Sequence, residues 1–417
     1  MVETGRGMEK LYTRPRWDNG SCMPLGIYIS VPFCKTKCSY CNFASDVFSR
    51  AVFERYVDRV CADIENATKL AAEMNGKFEL DVDSIYLGGG TPTVLEAAQL
   101  ERVFTTVRSQ FKVAPDAELT VECAPGTLTP AMLETLLRCG VNRVSLGVQS
   151  FVDQESAAVG RMHKRAIILE DIARLRAAGI TNINIDLIAG LPHQTAESWE
   201  FSLEETLATS VPHVSVYMLE VDGDSRLGRE LLAGGTRYHA HFVPDEEAMA
   251  DFYIDACERL PSAGIVQYEI SNFARAGFES RHNLKYWTRQ PYFGFGVDAH
   301  SMLISATPEI DAVRFAPADS LDQYVNNVGF LRTPVSLGAA LEESFFLGLR
   351  LNGGVSMGDL AVKFGDNAIE NARAAIAELI SGGLIEQQGE LIRLTSRGRL
   401  LSNDVFERFI LEDGVLR

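Results

Sequence analysis

Short apolar runs alternate with longer amphipathic stretches between residues 25 and 219. The short runs are typical of buried strands, and the longer stretches repeat apolar residues at the spacing of a helix face. The predicted strands cover residues 25–31, 84–87, 118–123, 143–148, 182–188 and 214–219. The helical stretches between them include residues 52–74, 94–111, 166–178 and 196–209. Strands that alternate with helices indicate right-handed crossovers and a parallel sheet.

Six such units favour an α/β fold, an incomplete (β/α)6 TIM-like barrel, over a flat sheet. In either architecture the functional groups belong at the carboxyl ends of the parallel strands. The polar motifs described below follow the ends of these runs. The spacing of the elements therefore predicts one pocket.

The pattern changes after about residue 320, where the α/β alternation stops. Helices are predicted over residues 341–351, 358–364 and 367–381, and the runs 384–387 and 391–394 predict a small hairpin. This order predicts a C-terminal winged-helix-like α+β domain. The predicted division is an N-terminal segment 1–24, a partial barrel 25–240, a barrel extension 241–330 and the C-terminal domain 331–417.

The composition is that of a globular protein, with 46% hydrophobic and 23% charged residues among 417. No window reaches the ~18 consecutive apolar residues of a membrane span. The basic residues near the N-terminus are not followed by an apolar segment, which argues against a secretory signal. Five of the eight cysteines are scattered, without the framework of a secreted disulfide fold. We expect a cytoplasmic protein with at most peripheral membrane contact.

The formal charge of −17 disfavours a general nucleic-acid binder, because an acidic surface repels phosphate. A basic patch is conceivable only near the C-terminal end, at Arg373, Arg393, Arg397 and Arg399. The overall acidity favours a protein-packing role for the winged-helix-like domain, and no nucleic-acid partner is expected.

Three cysteines, Cys34, Cys38 and Cys41, follow the first predicted strand at spacings of four and three positions. Three thiolates in such a loop suit an iron–sulfur cubane that has one iron left open to an external ligand. Structural zinc would need further ligands, and no matching second cluster stands out. A redox C-x-x-C site does not need the third cysteine. The loop therefore favours a 4Fe-4S cluster over both alternatives.

A run of three glycines, Gly88 to Gly90, follows the next predicted strand and precedes Thr91 and Pro92. Without Cβ atoms, the backbone of such a run can approach a ligand closely. The run lacks the ending of a phosphate loop and the spacing of a dinucleotide fingerprint. Alone it could be a tight turn, and its value comes from lying one strand beyond the cysteines.

The chain resembles the radical S-adenosylmethionine proteins, in the coproporphyrinogen III oxidase-like branch. The motifs that carry the resemblance are the cysteine loop with Tyr40, Tyr28, residues 88–93, Glu122 with Pro125-Gly126, residues 147–150, Arg161 and residues 185–192. The resemblance implies a 4Fe-4S cluster held by the three cysteines, with S-adenosylmethionine on the open iron. It assigns the S-adenosylmethionine site to Tyr28, Tyr40, Gly89, Gly90, Thr91, Glu122, Gln149, Arg161, Asp186 and Ile188. Within this set, Gln149 and Asp186 would bind the ribose and Ile188 would line the adenine site.

Two groups of that branch can be distinguished by residue types at positions that this chain also contains. The anaerobic oxidase has a further cysteine where this chain has Phe43, and a histidine in its first strand where the chain reads Ile29-Ser30-Val31. The chain instead contains His-Asn-Leu-Lys-Tyr-Trp over residues 282–287, which resembles the H-N-x-x-Y-W signature of the heme-chaperone group. That resemblance implies heme as the cargo, unidentified heme-acceptor proteins as partners, and a cellular electron donor as a further partner.

The predicted heme-binding residues are His282, Tyr286 and Trp287, since an imidazole ligates heme iron and aromatic rings pack on a flat macrocycle. A histidine beside aromatic residues is also a common packing arrangement, and His300 is a second candidate. Ser30 and Ala124 depart from the branch, which usually has His and Asn there. The alternative function is the oxidative decarboxylation of coproporphyrinogen III by a radical mechanism.

Overall fold

A computed structural model of the protein describes residues 23–412 and 415–416, with side chains as far as Ile410. The predicted segment 1–24 and its basic residues therefore lie almost entirely outside the described residues. Among the described residues, no helix is both long and apolar enough to cross a membrane.

The strands of the described residues form one 13-stranded mixed sheet, a three-stranded sheet and a two-stranded sheet. They are β1 (Leu25–Val31), β2 (Gly76–Lys77), β3 (Asp81–Gly89), β4 (Lys112–Cys123), β5 (Arg143–Gln149), β6 (Asn182–Ala189), β7 (His213–Met218), β8 (Val266–Gln267), β9 (Asn272–Ala274), β10 (Tyr292–Phe295), β11 (Ser301–Ser305), β12 (Ile310–Ala316), β13 (Leu331–Ser336), β14 (Val355–Ser356), β15 (Ile385–Gln388), β16 (Leu391–Leu394), β17 (Leu411–Glu412) and β18 (Val415–Leu416).

The helices are α1 (Ala51–Glu65), α2 (Ala67–Glu73), α3 (Ala97–Gln110), α4 (Pro130–Arg138), α5 (Asp153–Ala158), α6 (Arg165–Ala177), α7 (Ala196–Thr209), α8 (Arg226–Ala233), α9 (Glu246–Arg259), α10 (Arg281–Trp287), α11 (Leu321–Val325), α12 (Leu337–Leu349), α13 (Met357–Phe364), α14 (Asp366–Glu370), α15 (Arg373–Ser381), α16 (Ser396–Leu400) and α17 (Ser402–Glu407). Short 3-10 helices cover Pro92–Val94, Ala240–Phe242 and Leu260–Ala263.

The six predicted strands are confirmed as parallel neighbours in the order β1-β3-β4-β5-β6-β7. They are buried along most of their length, as expected for parallel strands covered on both faces. Within the described residues the sheet does not close, because β13 and β8 lie at its two ends. The prediction of an incomplete barrel is confirmed.

A seventh parallel strand was not predicted. The short strand β10 pairs with the free side of β1, with Gly26 opposite Tyr292. The strands β11, β12 and β13 then continue the sheet in antiparallel order. The barrel extension therefore flanks the parallel strands on both sides, because β9 pairs with β7 in antiparallel order and β10 pairs with β1.

The prediction of single long helices was wrong in two places. The stretch 52–74 is broken between α1 and α2 at Asn66, and the stretch 367–381 is broken between α14 and α15. At Asn66 both the backbone N–H and the side-chain amide donate to the carbonyl of Ala62, at 3.1 and 2.7 Å. An asparagine side chain that bonds its own backbone competes with the helix, which explains the break.

The described residues contain two large apolar clusters. One lies against the parallel strands, and the other belongs to the C-terminal region, where Phe345 and Phe409 stack with ring centroids 4.6 Å apart. The predicted hairpin is β15–β16, with Gly389 at φ 62° in its turn. Strand β13 pairs with β12 and therefore lies in the large sheet. The proposed domain boundaries stay a prediction.

A buried network of charges joins the extension to the C-terminal region. Arg289 Nε lies 2.8 Å from Glu343 Oε2 on α12, and Arg289 Nη1 lies 3.0 Å from Asp311 Oδ2 on β12. Lys363 Nζ on α13 lies 3.1 Å from Asp311 Oδ1. The Arg289 side chain is 3% exposed, so its charge depends on these partners for solvation.

Candidate functional site

The three cysteines lie in the loop that follows β1, at the carboxyl end of the parallel strands. Cys34, Cys38 and Cys41 are free thiols that are partly buried. An isolated parallel pairing between Phe33 and Asp46 closes the base of this loop. The loop therefore holds all three thiols within one short, closed segment.

The electrostatics of the thiols show that they are neighbours. Burial raises the pKa of the Cys34 thiol, hydrogen bonds from Thr91 and Ser45 lower it, and Cys41 and Cys38 raise it further. Among the described residues, no three His, Cys, Asp or Glu side chains surround a single metal position. A cubane binds each cysteine at a different iron, whereas zinc needs its ligands around one ion. Three free thiols in one loop remain the observation that favours a cluster.

The packing at this end of β3 leaves no room for side chains on the glycine run. A Cβ on Gly90 would lie 2.6 Å from the carbonyl oxygen of Val31, and one on Gly88 would lie 2.7 Å from Glu122 Oε1. Gly89 has φ +95°, which favours glycine. The run is therefore pressed against the start of the cysteine loop on one side and against Glu122 on the other.

Glu122 is held beside the glycine run by two donors. The Tyr86 hydroxyl donates to Oε1 at 2.9 Å, and the Gly89 N–H donates to Oε2 at 3.1 Å. Burial, and then the charge of Asp186, raise the pKa of the Glu122 carboxyl to about 7 against these hydrogen bonds. The Tyr28 ring lies 6.2 Å from that of Tyr86, and burial raises the pKa of its hydroxyl. Glu122 can therefore change charge near neutral pH.

Arg161 and Gln149 approach each other above Gly147 on β5. A Cβ on Gly147 would lie 3.1 Å from Gln149 Nε2 and 3.3 Å from Arg161 Nη2. Arg161 Nη2 donates to the Tyr40 hydroxyl at 3.2 Å, whereas its Nε is buried with no hydrogen-bond partner among the described residues. Gln149 has φ 69°, an uncommon backbone conformation for a residue with a side chain.

Asp186 lies in the second half of β6, within a polar row. Its Oδ2 accepts from the Ser145 hydroxyl at 3.1 Å, and its Oδ1 accepts from the Asn184 amide at 2.7 Å. Burial raises the pKa of this carboxyl against hydrogen bonds from neighbouring side chains. Ile188 is buried in an apolar cluster against which Tyr40 packs. These residues share the strand ends with the cysteine loop.

The residues at this mouth match the chemistry of the group that the resemblance implies. The orphaned Arg161 Nε is a donor suited to a carboxylate. Carboxylate and amide oxygens at Asp186 and Gln149 can accept from hydroxyls. The predicted assignments of individual residues to cluster and S-adenosylmethionine stay a prediction.

The H-N-x-x-Y-W residues lie at the opposite end of the barrel. The backbone N–H of His282 donates to Glu118 Oε1 at 3.2 Å, and His282 Nδ1 lies 3.1 Å from the Ser84 hydroxyl. Ser84 pairs with Gly26 across the strands, and Gly26 precedes Ser30 in β1 by four residues. Four residues of strand correspond to about 13 Å. Helix α10 therefore closes the end of the barrel remote from the cysteine loop.

Both ring nitrogens of His282 are engaged in hydrogen bonds. Nδ1 pairs with Ser84, and Nε2 lies 2.8 Å from the Tyr286 hydroxyl. The side chain is fully buried, and burial and the charge of Lys285 lower its pKa to about 3. Trp287 packs elsewhere, with the Arg350 guanidinium 4.3 Å from its ring centroid. The predicted heme role of His282, Tyr286 and Trp287 is not tested by this geometry, but the residues are packed as they stand.

The second candidate, His300, is exposed. Its Nε2 lies 3.4 Å from Asp298 Oδ1, in the turn between β10 and β11. Because β10 runs parallel to β1, this turn lies on the side of the sheet where the cysteine loop begins.

Several residues of the site were not predicted from the sequence. Ser145 pairs with Glu122 across the strands, and Asn184 pairs with Ser145, so one polar row crosses three apolar strands. A polar residue inside an otherwise apolar strand was the available signal. Tyr86 lies two residues before the glycine run and gave no such signal, because a half-buried tyrosine is common in a strand.

Comparisons with known proteins agree with this architecture. The family model described as "Radical SAM superfamily" matches residues 28–205, and the model described as "HemN C-terminal domain" matches residues 335–401. Among solved structures, coproporphyrinogen III oxidase (HemN) from Escherichia coli superimposes with a TM-score of 0.78 at 24% identity, covering 93% of this chain and 90% of that one. At this identity the match establishes the fold alone.

Curated relatives match over nearly the full chain. Heme chaperone HemW of Bacillus subtilis is 33% identical over 392 residues, which cover 92% of this chain and 99% of that protein. Heme chaperone HemW of Escherichia coli is 34% identical over 283 residues, covering 66% and 70%. Together with the cysteine loop and the glycine run at one barrel mouth, these matches show that the chain belongs to the HemW family of radical S-adenosylmethionine proteins.

Proposed function

We propose that this protein is a heme chaperone, which takes up heme and passes it to acceptor proteins while carrying a 4Fe-4S cluster and S-adenosylmethionine. The observation that carries the proposal is the match of more than nine-tenths of the chain to curated relatives named heme chaperones, which cover 92% and 94% of it. The residues that separate the two groups of the branch support the same choice. Phe43 occupies the position at which the anaerobic oxidase has a further cysteine, and residues 282–287 carry the H-N-x-x-Y-W signature.

In this proposal Cys34, Cys38 and Cys41 hold the cluster, whose open iron takes the amino and carboxylate groups of S-adenosylmethionine. Arg161 Nε supports this role, because it is a buried donor without a partner among the described residues. Glu122 lies beside the glycine run and accepts hydrogen bonds from the Tyr86 hydroxyl and the Gly89 N–H. Gln149, Asp186 and Ile188 complete the set, with Tyr28, Tyr40 and residues 89–91 as its walls.

The resemblance assigns heme to His282, Tyr286 and Trp287. In the described geometry iron ligation requires Ser84 or Tyr286 to release a ring nitrogen of His282. On that assignment, His282→Ala would weaken heme binding and leave the cluster absorbance unchanged. Unchanged heme affinity would move the ligand to another histidine.

The cell compartment and the further partners are part of the proposal. A cytoplasmic location is supported by the scattered cysteines and the absence of a membrane-spanning helix among the described residues. Heme-acceptor proteins are expected as partners, since a chaperone must deliver its cargo, and an electron donor would serve the cluster. The acidic chain supports the absence of a nucleic-acid partner.

The alternative function, the oxidative decarboxylation of coproporphyrinogen III, is separated from this one by an anaerobic assay. Reconstituted protein is incubated with a reductant and S-adenosylmethionine, once with coproporphyrinogen III and once with heme. Stoichiometric heme uptake without protoporphyrinogen formation is the expected result. Formation of protoporphyrinogen IX over repeated turnovers would reject the chaperone function.

A further inference from the structure

Two histidines at the barrel mouth have no role in the site described so far. His193 Nε2 lies 3.0 Å from His239 Nδ1, and the two rings meet edge to face. His193 follows the carboxyl end of β6, and His239 lies between α8 and α9. Their neighbours Leu191 and Ala240 belong to the apolar cluster that contains Ile188. The pair therefore lies beside the predicted S-adenosylmethionine site.

The backbone holds this pair in an uncommon conformation. His193 has φ 70° and His239 has φ 61°, both in the left-handed region. Residues with side chains adopt this region rarely, and such positions are concentrated at functional sites. The backbone N–H of His193 donates to the carbonyl of Phe242 at 2.8 Å, and the Phe242 ring stacks on His193 at 4.2 Å. The two imidazoles are thus positioned by the fold.

Exposed apolar side chains surround this mouth, and we call them the apolar rim. The rim consists of Phe43, Val47, Met162, Leu232 and Phe242, which are between 54 and 81% exposed. They come from the cysteine loop, the loop before α6, helix α8 and the 3-10 helix Ala240–Phe242. Asn42 of the cysteine loop donates to Asp222 Oδ2 at 2.9 Å, and a Cβ on Gly160 would lie 3.6 Å from the carbonyl oxygen of Lys37. A Cβ on Gly223 would lie 3.8 Å from the Leu232 side chain. Large exposed apolar residues that are grouped on one face of a protein mark a binding surface.

The mouth also carries exposed cations, in a chain with a formal charge of −17. Arg237 is exposed, two residues before His239, with its guanidinium 5.3 Å from the Tyr238 ring centroid. Lys35 and Lys164 are exposed in the cysteine loop and in the loop before α6. Cations beside an apolar surface suit a ligand that is flat, apolar and carries carboxylates.

These observations together fit heme as the ligand. Heme presents an apolar face, an iron that takes imidazole nitrogen, and two propionates. Iron-ligating histidines almost always donate their other N–H to a fixed acceptor, which sets the tautomer. His239 meets this requirement when its Nδ1–H donates to His193 Nε2, since its own Nε2 then carries the free lone pair. We infer that heme is taken up at the barrel mouth, with His239 as the iron ligand, His193 as its positioning partner and the apolar rim as the contact for the macrocycle.

This inference rests on the proposed heme-chaperone function, and it differs from the assignment that the resemblance gives. His282 is fully buried with both nitrogens bonded, so it offers no lone pair to iron as it stands. His239 is partly exposed, and within the described part of the chain Nδ1 is the ring nitrogen that pairs with another side chain. Uptake at the mouth also places the cargo next to the cysteine loop, whereas α10 lies at the far end.

The test is a titration of the full chain, with its cluster reconstituted, against hemin followed by absorbance. His239→Ala is expected to lower hemin affinity by about a hundredfold and to shift the Soret band. His193→Ala should lower it by about tenfold, the scale of losing the partner of a metal ligand. His193→Gln keeps an acceptor oxygen and should restore most of the affinity. His241→Ala is the matched control, because it removes an exposed imidazole two residues from His239.

Further measurements distinguish failure of this inference from failure of the proposed function. Iron-free protoporphyrin IX should bind more weakly and should be insensitive to His239→Ala, and an equal loss for porphyrin and hemin would overturn iron ligation. Leu232→Asp should weaken both ligands without touching the histidine pair, and unchanged binding would remove the apolar rim from the site. Wild-type affinity in His239→Ala, together with loss in His282→Ala, would overturn the inference and leave the proposed function standing. Wild-type protein that takes up no hemin would refute the proposed function itself.

Discussion

Replacing Glu122 by glutamine tests whether the carboxylate beside the glycine run binds S-adenosylmethionine. The carboxyl accepts from the Tyr86 hydroxyl and the Gly89 N–H, and burial with the charge of Asp186 raises its pKa to about 7. The ligand brings an N–H donor and a sulfonium cation, both of which favour the ionised carboxylate. Affinity should therefore be full above the pKa and should fall as the pH drops through 7.

The size of the effect follows from the fraction of ionised Glu122. With a pKa of about 7, roughly 3% of the carboxyl is ionised at about pH 5.5. If only the ionised form binds well, the apparent Kd rises by the inverse of that fraction, or up to about thirtyfold. Glu122→Gln keeps an acceptor oxygen for Tyr86 and Gly89 but does not titrate. Its affinity should be weaker than that of the wild type at about pH 8 and constant down to about pH 5.5.

The assay is equilibrium binding of S-adenosylmethionine to cluster-loaded protein between about pH 5.5 and about pH 8. The cluster absorbance is recorded at each pH, so that acid loss of the cluster is not mistaken for loss of affinity. A flat wild-type profile with an intact cluster would refute the role of Glu122. An identical pH dependence in Glu122→Gln would assign the titration to another group, with Asp186 the nearest.

Three further predictions concern packing, the charge network and partners. Gly90→Ala should lower the free energy of unfolding by about 1–3 kcal/mol and reduce cluster occupancy. The reason is that its Cβ would meet the carbonyl oxygens of Val31 and Phe33 at 2.6 and 2.8 Å. Denaturant unfolding and iron content measure the two effects, and wild-type values for both would contradict the prediction. Arg289→Met should lower the free energy of unfolding by about 2–3 kcal/mol, because Glu343 loses its closest partner but keeps Arg314 at 3.1 Å. A loss below about 1 kcal/mol in denaturant unfolding would show that the network stabilises little. No duplex DNA should bind at physiological salt. A salt-sensitive complex in a mobility-shift titration would show that the negative net charge does not exclude DNA binding.

The parallel strands and the cysteine loop could be predicted because their signals are local. A short apolar run ending in Cys-x-x-x-Cys-x-x-Cys carries its own evidence, and the strand alternation dictates that β1 and β3 present their ends at one mouth. Helix α7 matches its predicted bounds, since Thr195 and Ser198 form a capping box at its start. These elements depend on neighbours in the sequence.

The position of the H-N-x-x-Y-W segment could not be predicted in this way. His282 contacts Ser84 and Glu118, which precede it by 198 and 164 positions. No residue near α10 in the sequence indicates which end of the barrel the helix closes. The contact between His193 and His239 likewise spans 46 positions. Such placements are decided by tertiary packing, which one sequence does not display.

The most direct test of the central claim is elemental analysis of the chain purified and reconstituted without oxygen. The account predicts about four iron and about four acid-labile sulfide per chain, and the loss of both in Cys38→Ala. It also predicts that S-adenosylmethionine perturbs the spectrum of the cluster, because one iron has no protein ligand. Zinc without sulfide in the wild type, or a cluster that survives in Cys38→Ala, would contradict the account.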